Sequence, residues 1–295
     1  MNILITGGTG FIGSALTAKL QKEGHTVTIL SRKPNRIHPP LQGISSFSQL
    51  AGEDTFDAVI NLAGEPIANR RWSNAQKRKI RDSRINMTQA LIDYLSSSAN
   101  KPRVLINGSA VGYYGLGDGI EKVDEESEGD GSFSSLLCQD WESVATRAEG
   151  LGIRTCRLRI GIVLGTNGGA LGKMLTPFKL GLGGKIGGGE QWMPWIHRDD
   201  LIGIILFCLD STQCSGPINA TAPTPVTNRA FTQALGTALG RPTVFTMPTL
   251  AVRILMGQMG EELLLSGRRV IPTAISEAGF QFQYETLEKA LTNIV

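Results

Sequence analysis

The chain has 295 residues, of which 41% are hydrophobic, 19% charged and 36 glycine, and its formal net charge is +3. That length gives about two domains, or one large domain with an appendage, and ample material for a core without disulfide or metal staples. The charge is too small to imply a nucleic-acid or membrane partner, no apolar run approaches the roughly 18–20 residues of a bilayer span, and no basic region precedes Met1-Asn2-Ile3-Leu4-Ile5 as in a secretory signal. Cys138, Cys156, Cys208 and Cys214 lie far apart with no CxxC pair, which argues against a disulfide framework and a zinc site. The expectation is a cytoplasmic protein with reduced thiols and no metal.

Asn2–Thr6 is a short apolar run that stops at glycine, as a buried parallel strand does. A helix is predicted from Phe11 to about Lys22, with Ile12, Ala15, Leu16 and Leu20 on one face and Gly24 closing it. Further strands are predicted at 26–30, 58–62, 103–107 and 154–158, separated by helices of which the longest run from about Asn74 to Leu95 and from about Ser134 to Glu149. This alternation predicts an α/β fold with a Rossmann-type doubly wound parallel sheet over residues 1–165, because parallel strands need crossover helices. From 166 to 295 the pattern loosens into a glycine-crowded stretch, helices at 171–180, 200–210 and 228–239, a strand at 217–220 and a final helix near 284–292. This half reads as a smaller substrate lobe and C-terminal extension, with about 197–222 returning to the Rossmann sheet.

Gly7-Gly8-Thr9-Gly10-Phe11-Ile12-Gly13 stands directly after the first strand and opens the first helix. Gly7 permits the tight turn, Gly10 lets the main chain approach a pyrophosphate, and Gly13 allows close helix–strand packing, while the helix N-terminus presents free amides to the phosphates. At the end of the second strand, where an NAD site carries an acidic residue for the ribose 2′-hydroxyl, the chain has Ser31-Arg32-Lys33. A hydroxyl followed by cations suits a 2′-phosphate, so NADP(H) is the expected cofactor. A solvated basic turn is the competing reading.

The glycine loop, Asn61-Leu62-Ala63-Gly64, Gly108-Ser109-Ala110 and Trp195-Ile196-His197-Arg198-Asp199-Asp200 together resemble the extended short-chain dehydrogenase/reductases. More narrowly, Arg71-Trp72, Ser83-Arg84, Asp140-Trp141-Glu142, Gly181-Leu182-Gly183-Gly184 and Gly240-Arg241-Pro242 resemble the atypical epimerase-family branch, often labelled nucleoside-diphosphate-sugar epimerases, which carries a C-terminal extension of unknown role. The resemblance implies that Leu62 and Ala63, with Gly64 beside them, line the adenosine and ribose path. It also implies that Arg84 reaches the cofactor from the long helix and that Val163 lies near the nicotinamide end.

One feature of the family is missing. Its members use a Tyr-x-x-x-Lys pair on the helix after the fourth strand, and aligning on Glu142 puts Ser134 at the tyrosine position and Cys138 at the lysine position. Ser109, Tyr113 and Tyr114 remain as a catalytic kit, and the candidates taken forward are Ser109 and Tyr113. Four residues beyond the two tyrosines stand Gly117 and Asp118, not lysine. His197 reads as an architectural turn, the Lys77–Arg84 basic run as a solvated helix face, and the acidic stretch from Glu121 to Asp130 as a flexible surface loop. Trp192, Met193 and Trp195 fit a substrate wall or core equally.

Two function classes follow. The first is an NADP(H)-dependent oxidoreductase or epimerase-like protein acting on a nucleotide-sugar or similar small carbonyl/alcohol substrate. The second is a non-catalytic NADP(H)-binding sensor or regulatory protein. Neither needs nucleic acid or a membrane, and a homodimer is left open.

Overall fold

The computed structural model describes residues 1–50, 55–117, 120–166 and 168–295; Asp118 lies outside the described residues. Seven parallel strands form the central sheet: β1 (Asn2–Thr6), β2 (Thr26–Leu30), β3 (Gln42–Ile44), β4 (Ala58–Asn61), β5 (Val104–Ala110), β6 (Arg154–Ile160) and β7 (Gly216–Ala220). Their spatial order is β7-β6-β5-β4-β1-β2-β3, so the order reverses between β1 and β4. In such sheets the crevice at the carboxyl ends of the strands on either side of the reversal is where ligands bind.

The strand sequences carry apolar residues on both faces because both faces are covered. Ile3 and Ile5 pack with Leu16 and Leu20 of α1 (Phe11–Lys22) and with Leu201, Ile204, Ile205 and Cys208 of α5 (Arg198–Asp210). Leu4, Val59 and Leu105 turn the other way, onto Leu91 and Leu95 of α2 (Asn74–Ser97) and Val144 of α3 (Phe133–Thr146). A second core forms where α4 (Gly169–Lys179) and α6 (Asn228–Leu239) meet the C-terminal helix (Leu287–Ile294), around Phe178, Trp195, Phe231, Leu235 and Leu291. Trp195 and Met193 therefore belong to the core, while Trp192 is half-buried against the Arg269 guanidinium, 4.8 Å from its ring.

Two differences from the strands expected of the sequence have physical reasons. β5 runs to Ala110, three residues beyond the apolar run, because β6 pairs with it through Ser109↔Arg159 and Ala110↔Ile160. β3 is only three residues long and had no pattern to announce it; it exists as the edge partner of β2. The four cysteines are free thiols and all are buried. Among the described residues, no helix is long and apolar enough to cross a membrane.

A polar network ties the centre of the sheet together beneath the glycine loop. Thr6 Oγ1 donates to Asn61 Oδ1 (2.5 Å), and Asn61 Nδ2 donates to Asn107 Oδ1 (2.6 Å) and Thr88 Oγ1 (2.8 Å). Trp141 Nε1 donates to the same threonine hydroxyl (2.9 Å). All four polar residues are buried, so each unmet donor or acceptor would carry its desolvation penalty in full. Replacing Asn61 with Leu strands the Thr6 hydroxyl proton and Asn107 Oδ1 and removes one of the two donors to Thr88. The expected outcome is a loss of about 3 kcal/mol in urea unfolding, with an unchanged denaturant slope.

Candidate active site and dinucleotide cleft

The glycine loop closes tightly on β1 and β4. Gly7 has φ +73°, and a side chain there would lie 2.6 Å from the Leu62 carbonyl. A Cβ on Gly13 would collide with the Gly7 carbonyl oxygen, so both positions must be glycine for helix and strand to meet. The Gly10 amide donates to Gly7 O (3.0 Å), and α1 starts at Phe11 with no side-chain cap and no acidic residue in its first turn. Its leading amides are left for a ligand. Thr9 and Gly10 are exposed, Phe11 and Ile12 half-buried. A cavity of about 560 Å³ opens here, lined by Thr9, Gly10, Phe11, Ser14, Ala15 and Arg198.

Leu62 and Ala63 stand directly against Gly7. Leu62 donates its amide to Thr6 O (3.1 Å) and Ala63 its amide to Thr6 Oγ1 (3.2 Å), which sets both at the carboxyl end of β4. The Arg84 guanidinium crosses from α2 to donate to Glu65 O and Ile80 O (both 3.1 Å); a side chain on Gly64 would meet its Cζ at 3.0 Å. Burial lowers the Arg84 pKa, the charge of Glu65 opposing it only in part. Ser31 follows β2, and its hydroxyl accepts from the Lys33 amide (3.1 Å) while Arg32 stands in solvent. Val163 is in a separate two-strand pairing, Ile162–Leu164 against Trp195–His197.

Deeper in the cleft lies a buried ionic cluster that the sequence reading did not find. Arg159 on β6 grips Glu142 of α3 with two hydrogen bonds, Nε to Oε1 (3.0 Å) and Nη2 to Oε2 (3.1 Å). Its Nη1 donates to the Tyr114 hydroxyl (3.0 Å) and to Glu125 O (3.1 Å). Burial alone would lower the Arg159 pKa; the hydrogen bonds and charge of Glu142 outweigh it and hold the guanidinium above its ordinary value. Ser109 Oγ donates to Glu142 Oε1 (2.7 Å), and the Arg159 guanidinium lies 3.4 Å from the centre of the Tyr113 ring. Tyr114, by contrast, is buried with its hydroxyl donating to Asn219 Oδ1 (2.6 Å), and burial pushes its phenol above its ordinary pKa. The signal that could have found Arg159 is the charge in Arg154-Thr155-Cys156-Arg157-Leu158-Arg159, since a cation inside a central strand needs a buried partner.

The acidic stretch is not a free surface loop throughout. Glu125 is pinned, its Oε1 accepting from the Asn219 amide (2.8 Å) and burial raising its pKa.

On α3, Ser134 and Cys138 are both buried. Burial pushes the Cys138 thiol up to about 11, with the charge of Glu142 adding to it. Glu262, from a π-helical turn (Glu261–Leu265), accepts from both the amide (2.9 Å) and the hydroxyl (2.6 Å) of Ser134. Trp72, Ile80, Leu137 and Met259 form a small core that seats this C-terminal segment on α2 and α3. Among the described residues, no group of three or more His, Cys, Asp and Glu is arranged to hold a metal.

Residues 3–220 match the family model for the NAD dependent epimerase/dehydratase family. The chain belongs to that family. Residues 247–294 match a domain of unknown function, DUF1731, so the segment bearing Glu262 and the C-terminal helix is a domain in its own right among family models. An epimerase family protein of Mycobacterium tuberculosis is 42% identical over 98% of this chain and 96% of its own. A crystal structure of the human epimerase family protein SDR39U1 with NADPH is 39% identical, covers 100% of this chain and 99% of that one, and superposes with a TM-score of 0.92. A nucleoside-diphosphate sugar epimerase from Corynebacterium glutamicum is 33% identical with a TM-score of 0.80, covering 99% of this chain and 57% of that one.

In this epimerase-family chain His197 works as a helix cap. Its Nδ1 accepts from the Asp199 amide (3.1 Å), and its ring stacks on Tyr284 at 3.8 Å, joining the family motif to the C-terminal domain. Burial lowers the His197 pKa, against the charges of Asp199 and Asp200. A base whose pKa falls on folding favours the native state above its unfolded value, about 6.5, and loses that contribution as pH drops through the folded value. In His197→Asn, which keeps a capping side chain without the titration, stability should fall less steeply between pH 7.5 and 5 than in the parent, as read by thermal unfolding.

Proposed function

We propose that this chain is an NADP(H)-dependent oxidoreductase acting on a small carbonyl/alcohol substrate, with nucleotide-sugars as the leading substrate class. The observation that carries this reading is the Arg159 guanidinium against the Tyr113 ring. Through Glu142 the same guanidinium is tied to Ser109, so one ion pair holds both candidate catalytic side chains. The nucleotide-sugar class is supported by the family and by the Corynebacterium relative's description as a nucleoside-diphosphate sugar epimerase. The NADPH in the human relative's structure supports the choice of cofactor, as does Arg32 at the end of β2 in place of an acidic residue.

The residues present fit a nicotinamide dinucleotide. The uncapped first turn of α1 and the glycine approach would take its phosphates, Arg32 with Ser31 its 2′-phosphate, and Leu62, Ala63, Gly64, Arg84 and Val163 the remainder of its length. Such a cofactor supplies or accepts the hydride when bound. The chain's own part is to hold the substrate oxygen and move the proton, which this reading gives to Ser109 and Tyr113. Ser109 is oriented by Glu142, and Tyr113 acts as hydrogen-bond donor and acid, which favours carbonyl reduction over alcohol oxidation.

A second reading, a non-catalytic NADP(H)-binding regulatory protein, is favoured by one observation. The α3 positions of the usual acid/base pair hold Ser134 and Cys138, and Glu262 of the C-terminal domain already occupies the polar groups of Ser134.

Calorimetric titration should give NADPH at least about tenfold tighter binding than NADH, since one charge-assisted contact is worth roughly 1.5–3 kcal/mol. Arg32→Ala should erase that preference and leave NADH nearly unchanged; equal affinities in the parent would overturn the assignment of Arg32. Single-turnover NADPH oxidation over a panel of carbonyl substrates should be lost in Ser109→Ala and reduced at least about tenfold in Tyr113→Phe. Activity that survives both but vanishes in Cys138→Ser would overturn their placement. Cofactor binding without turnover on any carbonyl would favour the regulatory reading.

A further inference from the structure

The cavity at the glycine loop has a wall that the loop does not supply. Arg198 is the first residue of α5, held there by the pairing of Trp195–His197 with Ile162–Leu164 and by the His197 cap. From that position its side chain reaches across to the first turn of α1, with the guanidinium 5.3 Å from the Phe11 ring, and it is the one charged residue among those lining the cavity.

Among the described residues its charge is uncompensated. Nη1 donates to Thr166 O (3.2 Å) and Nη2 to Thr166 Oγ1 at the long distance of 3.5 Å, while Nε is buried with no partner among them. Arg198 makes no ion pair among the described residues: Asp199 lies 3.9 Å from His197, and Asp200 accepts the amides of Gln283 and Tyr284 (both 2.8 Å). A half-buried guanidinium with only neutral acceptors has lost hydration without regaining it from a carboxylate. The facing helix end is positive as well, because α1 has neither a capping side chain nor an acid in its first turn. Two positive groups that converge on one cavity of about 560 Å³ repel each other until an anion lies between them.

We propose that Arg198 is a phosphate ligand of the dinucleotide, closing on its pyrophosphate from the side opposite the α1 amides. The inference rests on the cofactor reading above and adds a residue from outside the glycine fingerprint. A guanidinium suits the role, since it can engage two phosphate oxygens at once and keeps its charge when partly buried. It also makes cofactor affinity depend on the turn that joins the sheet to the C-terminal half, because that turn, through His197 and Tyr284, fixes where Arg198 stands.

The test is calorimetric titration of the parent, Arg198→Ala and Arg198→Gln with NADPH, with competition by adenosine 2′-monophosphate, which carries the 2′-phosphate and no pyrophosphate. Arg198→Gln removes the charge but keeps a polar side chain and the methylene stem beside Phe11, and serves if the alanine variant fails to fold. The expected result is NADPH binding weakened about tenfold or more in either variant, with the inhibition constant of adenosine 2′-monophosphate unchanged within about twofold. NADPH affinity within about twofold of the parent would overturn the proposal, as would an equal weakening of both ligands, which marks a general disturbance of the cleft. A parent that binds no NADPH would overturn the cofactor reading itself, and Arg198 with it; that outcome is seen in the first titration, before any variant is compared.

Discussion

The Arg159–Glu142 ion pair is the contact around which the cleft is assembled. A guanidinium in the middle of a parallel sheet has no water to fall back on, so its donors must be met by protein groups in fixed positions. Four acceptor groups meet them: both carboxylate oxygens of Glu142, the Tyr114 hydroxyl and the Glu125 carbonyl. They come from three different stretches of chain, and each stretch is thereby fixed relative to β6. Ser109 is oriented because Glu142 is, and the Tyr113 ring rests against the Arg159 guanidinium. Removing one partner of such a pair leaves a buried charge, which costs more than the pair itself contributes. The cluster therefore confers position more than stability.

Electrostatics divides the cleft into two ends. Toward β1 the groups are positive and make no ion pair among the described residues: the α1 amides, Arg32 in solvent and Arg198 with only neutral acceptors. Toward β5 and β6 charge is neutralised internally, by Glu142 on Arg159 and by Glu262 on the amide and hydroxyl of Ser134.

The C-terminal domain is a structural member of that cleft. Met259 shares a small core with Trp72 and Leu137, Gln191 donates to Leu264 O (2.7 Å), and Arg269–Val270 pairs with Lys122–Val123. Tyr284 stacks on the His197 ring, and the amides of Gln283 and Tyr284 bond to Asp200. These contacts are spread along the whole extension, so it seats on the sheet domain and on the motif that starts α5 together.

Local sequence was enough to determine the Rossmann character of the first half. The apolar strands, the Gly7–Gly13 loop and the helix that follows it are set by steric and period rules acting within about 30 residues, and the structure places them at the β1/β4 reversal. The absence of the tyrosine and lysine at Ser134 and Cys138 was equally plain, because it is a matter of residue identity alone. Which side chains the fold brings beside those positions was not legible. Arg159 and Tyr113 are 46 positions apart, Glu262 and Ser134 are 128 apart, and Arg198 faces a helix that starts at residue 11. No periodicity encodes which buried cation will find which acceptor; that was decided only when the strand order, the α3 crossover and the docking of the C-terminal domain brought those side chains into the same few ångströms.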